Sequence, residues 1–454
     1  MTLFSGSIED IHPIRICGKV SRIVGLIIEG HCPYASVGSL CELTPLDDSD
    51  PILAEIVGFI DSRALLMPLG ELRGLGPGSK IRVIKPSASI KVGFNLLGRV
   101  IDAMENPIDG QPAPLLEEEK QIYSLPPGPM ERKNISEPLD LGIRAINGLM
   151  TCGMGQRMGI MAGSGVGKSV LLGMMARYAR ADINVIALIG ERGREVREFI
   201  ERDLGTEGLA RSVIVVVTSD QSPLLRMRGA FVATSIAEFF CRKGKNVLLM
   251  MDSVTRFAMA MREIGLAIGE PPTTKGYTPS VFATLPKLLE RAGRFKGQGS
   301  ITGLYTVLVD GDDMNEPVAD SVRSILDGHI VLSRVLAAKN HYPAIDVMNS
   351  ASRIMREITP TRHIELAGRA RNVLATYTEA EDLINIGAYA KGSNPKIDFA
   401  ISKIDSINSF LCQGYDETTP LKETVESLGM LLSERKDDTG ERLDRRESDR
   451  QQED

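Results

Sequence analysis

The sequence offers little material for a disulfide frame, a metal centre or a membrane span. Its six cysteines, Cys17, Cys32, Cys41, Cys152, Cys241 and Cys412, are scattered over 454 residues with no C-x-x-C pair. That usage predicts buried reduced thiols and argues against a zinc ribbon or a stapled scaffold. The five histidines, at 12, 31, 329, 341 and 363, have no metal-ligand spacing. Long apolar runs are also missing. VIVVV at 213–217 is typical of the longest, far short of the roughly 20 residues that a membrane-spanning helix needs. The opening MTLFSGSIEDIHPIR has neither a basic start nor an apolar core with a cleavage site, so the expectation is a soluble, cytoplasmic chain without a signal peptide. An excess of basic charge is absent, and the formal net charge of −6 speaks against wholesale coating by nucleic acid. The first 95 residues contain only Phe4, Tyr34, Phe59 and Phe94 as aromatics, unclustered, which is a poor stacking platform for single strands.

What is present divides the chain. Residues 15–30, RICGKVSRIVGLIIEG, alternate β-branched and polar residues around glycines, with similar runs at 52–60 and 81–84 and LRGLGPGSK as a turn between them. They predict a small N-terminal β domain over 1–95. Proline and glycine then dominate LLGRVIDAMENPIDGQPAP and SLPPGPMERKNISEP, which reads as an extended linker over 96–138. From 139 to 365 the runs RMGIMAG, INVIALIG, SVIVVVTS, NVLLMMD, ITGLYTVLVDG and HIVLSR alternate with helical stretches, the pattern of a mainly parallel sheet with helices on both faces. Residues 366–433 show helical periodicity without strand runs and predict a helical C-terminal domain. The last stretch, 434–454, holds 15 charged residues of 21 and predicts a disordered tail.

The chemistry starts at MAGSGVGKSVLL, 161–172. A phosphate loop works because successive backbone N–H groups and the N-terminus of the following helix present partial positive charge to phosphate oxygens. Here a strand leads into Gly163, Ser164, Gly165, Val166, Gly167, Lys168, Ser169 and Val170, and a helical sequence follows. Lys168 is placed to reach the β- and γ-phosphates and Ser169 to ligate Mg²⁺. Ala162 stands where G-x-x-x-x-G-K-[ST] has its first glycine, a change that costs little where φ stays negative. NVLLMMDS ends in Asp252, a candidate Mg²⁺ carboxylate, although an aspartate at a strand end is often only a turn or helix cap. LIGERGREV ends its strand in Glu191, which could orient and polarise the attacking water. Arg192 and Arg194 beside it either face the phosphate or pair with Glu195 and Glu198 on an exposed surface.

Taken together, AGSGVGKS, GERGREV, LLMMDSVTRFAMA, LLERAGR, TVLVDGDDMNEPVADSVRSILDGHIVLSR and HYPAIDVMNSASRIM resemble the catalytic subunits of the rotary ATP synthase superfamily. Within it they are most similar to the type III secretion ATPases of the flagellar export apparatus and the injectisome, collinearly over roughly residues 15–430. The resemblance implies an α/β P-loop (RecA-like) core with an N-terminal β-barrel and a C-terminal helical domain. It implies that Lys168 and Ser169 bind phosphate and Mg²⁺, Glu191 is the catalytic carboxylate, Arg192 touches the γ-phosphate and Asp252 supports the metal. Arg353, in NSASR, matches the arginine finger that reaches the neighbouring subunit's site, and Tyr342 matches the aromatic that stacks on adenine. A second adenine-side aromatic is expected near Phe410. Ala in place of the first loop glycine is routine in this family.

The family expectation is a ring of six identical subunits hydrolysing ATP with Mg²⁺, cytoplasmic and peripherally attached to the inner membrane below an export gate. There hydrolysis releases chaperones and helps unfold export substrates; a stalk protein sits in the ring and a regulator dimer near the N-terminus. The flagellar branch is favoured, with the injectisome as the alternative, since both share these motifs. TEAEDLINIGAYAKGSNPKIDFAI replaces the acidic C-terminal run of the synthase β subunit, which disfavours proton-coupled synthesis. The weak N-terminal aromatic content disfavours a hexameric RNA translocase. One departure stands out: about a dozen residues precede the barrel, and LFSGSIEDI contains glycine, unlike the amphipathic helix that usually contacts the regulator.

Overall fold

The computed structural model describes residues 17–47, 49–309 and 313–433. The expected regulator-contact segment before residue 17 and the charged tail 434–454 lie outside the described residues. Strands Gly18–Val24, Ile27–His31, Leu40–Thr44, Ile52–Ile60, Arg63–Pro68 and Lys80–Lys85 close into a six-stranded barrel. Alternation drives closure: Val20, Ile28, Leu43, Ile56, Leu66 and Ile81 point inward and are buried while their neighbours face outward.

The linker is more structured than its proline and glycine content suggests. Glu118–Gln121 pairs with Ser89–Val92, and Val100–Ile101 adds itself in parallel to the edge of the central sheet. That sheet runs in the order 345–352, 328–332, 157–162, 300–308, 246–252, 183–191, 212–218 and 100–101, with Gly293–Arg294 pairing beside Ser300–Leu308. All the strands expected from the apolar runs are there, and they pair in parallel. Ile183–Glu191 is buried over its first eight residues, which is what helices on both faces require of a central strand. Three members gave no run to read: the two-residue strand from the linker, Gly293–Arg294, and the antiparallel edge Ile345–Ser352.

Helix starts have local causes. Ser222 caps Pro223–Arg242 by accepting from Leu225 N–H, with proline in the first turn, and Ser253 caps Val254–Ala267 by accepting from Arg256 N–H. Three helices, Thr361–Asn385, Pro395–Leu411 and Leu421–Leu432, form the C-terminal region. Buried polar contacts pin the outer regions to the centre. Arg228 donates to Glu55 of the barrel at 3.1 Å and to the carbonyl of Ala103 at 3.0 Å. Arg144 gives its backbone N–H to Gln413 at 2.8 Å and its Nε to the carbonyl of Phe410 at 2.8 Å. The thiols are free, but not all are buried as expected: Cys17 is exposed and Cys412 partly so, because each lies just outside a regular element. Among the described residues no helix is long and apolar enough to cross a membrane.

Candidate active site

Ala162, Glu191 and Asp252 are the last residues of three strands of the central sheet. Their loops therefore meet at the carboxyl edge, where open parallel sheets bind ligands. The phosphate loop leaves Ala162 and enters helix Lys168–Tyr178. Ala162 is buried and in strand register with Leu308 and Leu332, so the missing glycine falls where an L residue is at ease. The positions that need glycine have it: Gly165 and Gly167 adopt φ of 78° and 86°.

Beneath the loop the side chains converge. Lys168 Nζ donates to Asp252 Oδ1 at 2.5 Å and to Glu191 Oε1 at 3.3 Å. Thr306 Oγ1, fully buried, donates to the same Asp252 oxygen at 2.6 Å. Burial opposes the charge on Lys168, but Asp252 and Glu191 outweigh it and hold the ammonium above its ordinary pKa. Burial first, and the Asp252 charge second, push the Glu191 carboxyl up to about 7 against the pull of Lys168.

The sign of that shift has a consequence for stability. A carboxyl raised from 4.5 to about 7 contributes stability that is complete below about pH 4.5 and lost as the pH rises through 7. Glu191→Gln, neutral throughout, should therefore melt above the parent at pH 8, with the difference shrinking toward pH 5. Thermal melts across that range in the absence of nucleotide check it; a pH-independent difference would contradict the assignment.

The loop, Glu191, Glu195 and two arginines line one cavity of about 530 Å³, with Asp252 buried behind Lys168. Arg192, at its mouth, pairs with Glu195 at 3.3 Å while its side chain stays 81% exposed. Arg194 pairs with Glu198 at 2.7 Å on the surface. Arg256, which the sequence reading passed over, lines the cavity with its Nε buried and unpartnered. Its signal was there: it lies in the first turn of the helix that Ser253 caps, directly after Asp252. Arg256 is half-buried, and a guanidinium that lines the cavity with no carboxylate partner among the described residues suits an anion.

Tyr342 lies against the loop, since a Cβ on Gly167 would come within 3.5 Å of its ring, and it is 42% exposed. Phe410 does not share that surface. Its ring is buried against Gly148, and the residue that meets the Tyr342 backbone is Gln413, at 2.8 Å. The helix Pro395–Leu411 needs an apolar anchor on its inner face, and Phe410 supplies it. Ser169, second in its helix and lining the cavity, and Asp252, buried behind Lys168, carry hard oxygen donors of the kind Mg²⁺ takes together with water and phosphate oxygens. Arg353 is not near this cavity's floor. Its N–H donates to the carbonyl of Asp327, which in turn meets Arg157 at the opposite end of strand Arg157–Ala162, about 17 Å from the loop at the usual rise per residue.

Comparison with known proteins agrees with this geometry. Residues 142–352 match the nucleotide-binding domain of the ATP synthase alpha/beta family, and 359–429 match the C-terminal domain of the type III secretion ATPase EscN. The flagellum-specific ATP synthase of Bacillus subtilis is 54% identical over 93% of this chain and 97% of its own length. The type 3 secretion system ATPase of Xanthomonas euvesicatoria is 51% identical over 91% and 93%. The assembled ATPase EscN of enteropathogenic E. coli superposes with a TM-score of 0.87 at 47% identity, covering 92% of this chain and all of that one. EscN has also been solved in complex with its central stalk EscO, with a TM-score of 0.85, 46% identity and the same coverage. A phosphate loop closed over a lysine and two carboxylates, on a barrel, sheet and helix framework shared along nearly the whole chain, makes this protein an ATPase of the type III secretion and flagellar export family.

Proposed function

We propose that the chain hydrolyses MgATP in a ring of six identical copies and drives protein export through a flagellar apparatus. The observation that carries the catalytic reading is the placement of Lys168 between Glu191 and Asp252. In that reading the β- and γ-phosphates take the ammonium from its carboxylates, and Gly163 to Val170 cradle them through backbone N–H groups. Ser169 and Asp252 would hold Mg²⁺, which when bound would offset negative charge on the phosphates. Glu191, released from Lys168, orients the attacking water, and its raised pKa suits it to accept a proton near neutrality. Arg192 and Arg256 face the γ-phosphate from the mouth and the wall. Tyr342 stacks on adenine. Arg353 serves the site of the next subunit, a reading supported by its distance from the phosphate loop of its own chain.

The ring and the central stalk partner are supported by the assembled EscN structures. Attachment at the cytoplasmic face below an export gate, a regulator, and chaperone–substrate complexes as clients belong to the same proposal. The flagellar branch is supported by the flagellum-specific relatives from Bacillus subtilis and Pseudomonas aeruginosa, at 54% and 50% identity. The 51% identity of the Xanthomonas enzyme keeps injection as the alternative outcome of the test. A source strain lacking the chain should lose motility, regain it with the parent and fail to regain it with Lys168→Ala. Normal swimming with loss of effector secretion would instead assign it to an injectisome.

A further inference from the structure

A finger that works in a neighbour's site is useful only if its base is held still, because misplacement by about 1 Å can cost a hundredfold in rate. Arg353 is exposed, and its side chain makes one hydrogen bond among the described residues, from Nη2 to the carbonyl of Arg323 at 3.3 Å. Its backbone is different. The Arg353 N–H donates to the carbonyl of Asp327 at 2.9 Å, and Gln156 Nε2 donates to that same carbonyl at 3.1 Å. Gln156 Nε2 also reaches Ser352 Oγ at 3.1 Å, while its Oε1 accepts from Gly153 N–H at 2.8 Å. Gln156 is fully buried, so its amide has no solvent to fall back on. The Asp327 carboxylate is held by Arg157 in a fork, Nε to Oδ2 and Nη2 to Oδ1, each at 3.0 Å, with the Arg157 N–H at 3.1 Å on Oδ2. Arg157 is anchored in turn by Glu290.

We infer that Gln156, Arg157 and Asp327 are positioning residues that seat the arginine finger Arg353 for the neighbouring subunit's site. The inference rests on the reading of Arg353 as a finger. The seat stands at the start of strand Arg157–Ala162, whose other end carries the phosphate loop. One strand thus bears the cradle of a subunit's own site and the base of the group it lends to the next. Movement at either end is passed along a strand hydrogen-bonded on both sides, which links neighbouring sites mechanically.

The test compares Gln156→Met and Asp327→Asn with the parent in steady-state ATP hydrolysis with Mg²⁺. Each should lower kcat about ten- to a hundredfold with KM changed less than about twofold. In an Arg353→Ala background the further loss should be under about twofold, because a seat matters only to the finger it holds. Mixing Gln156→Met with Lys168→Ala subunits should raise turnover per Gln156→Met subunit, since its intact loop then receives a well-seated finger from its neighbour. A general folding defect would not be rescued in this way. Full kcat in both variants, or losses that persist undiminished in the Arg353→Ala background, would overturn the seat while leaving the finger standing. Full turnover of Arg353→Ala alone would overturn both. Failure of both seat variants to form rings would assign these residues to folding and also overturn the inference.

Discussion

Glu191→Gln is expected to leave a folded chain that binds ATP but turns it over about 10²- to 10⁴-fold more slowly, the usual contribution of a positioned general base. The substitution preserves shape and keeps an oxygen within reach of Lys168, whose shorter contact is to Asp252. The cradle and the cation beneath it should therefore persist. What is removed is the carboxylate that burial and Asp252 have tuned to about 7. Phosphate release at saturating MgATP measures the loss, and titration with a fluorescent nucleotide analogue establishes that binding survives. Turnover within a factor of two of the parent would rule Glu191 out as the base. Lys168→Ala differs in kind, because it deletes the cation shared by two carboxylates and should weaken nucleotide binding together with turnover.

Arg353→Ala should lose about a thousandfold or more in turnover, the scale of an arginine finger supplied in trans, with nucleotide binding retained. The exposed side chain has little to do with the fold, so a large catalytic effect without a fall in melting temperature is the diagnostic pattern. Mixing it with Lys168→Ala subunits tests the geometry directly. In a ring built by one repeated head-to-tail interface, an equal mixture places an intact loop against an intact finger at about a quarter of interfaces, so up to about a quarter of parental turnover should return. Absence of rescue would mean that finger and loop do not meet between chains. Turnover per subunit of the parent should also climb with protein concentration in the dilute range, since assembly completes the site.

Much of this was legible in the chain itself. The strands of the central sheet announced themselves because a strand buried on both faces must be apolar throughout, as in INVIALIG and SVIVVVTS. The loop was legible because glycine, lysine and serine at fixed spacing have few other uses between a strand and a helix. Harder to read were elements whose side chains carry no pattern. Val100–Ile101 is too short to show a period, and Ile345–Ser352 joins the sheet as an antiparallel edge whose burial alternates. Phe410 illustrates the limit of a loosely aligned segment, since a single aromatic serves equally as an anchor or a stacking surface until its neighbours are known. Arg256 is hard to single out because arginine in a helix is common, and only folding reveals that its Nε has no partner among the described residues and that it lines the same cavity as the glycine-rich loop.

By itself the sequence determined the class of chemistry, because nucleotide binding depends on local backbone conformation and on residue types within a few positions of Lys168. The same local logic explains Ala162: its strand φ is set by its immediate neighbours, and no glycine is needed there. Only the tertiary structure decided which charges share a partner. Glu191 and Asp252 are 61 positions apart in the chain, and their pairing on one ammonium is a product of strand order in the sheet. Strand direction likewise decided that Arg353 lies at the end of the sheet opposite the loop of its own chain. Coulomb energies and desolvation depend on distance and burial in space, which spacing along a chain does not specify.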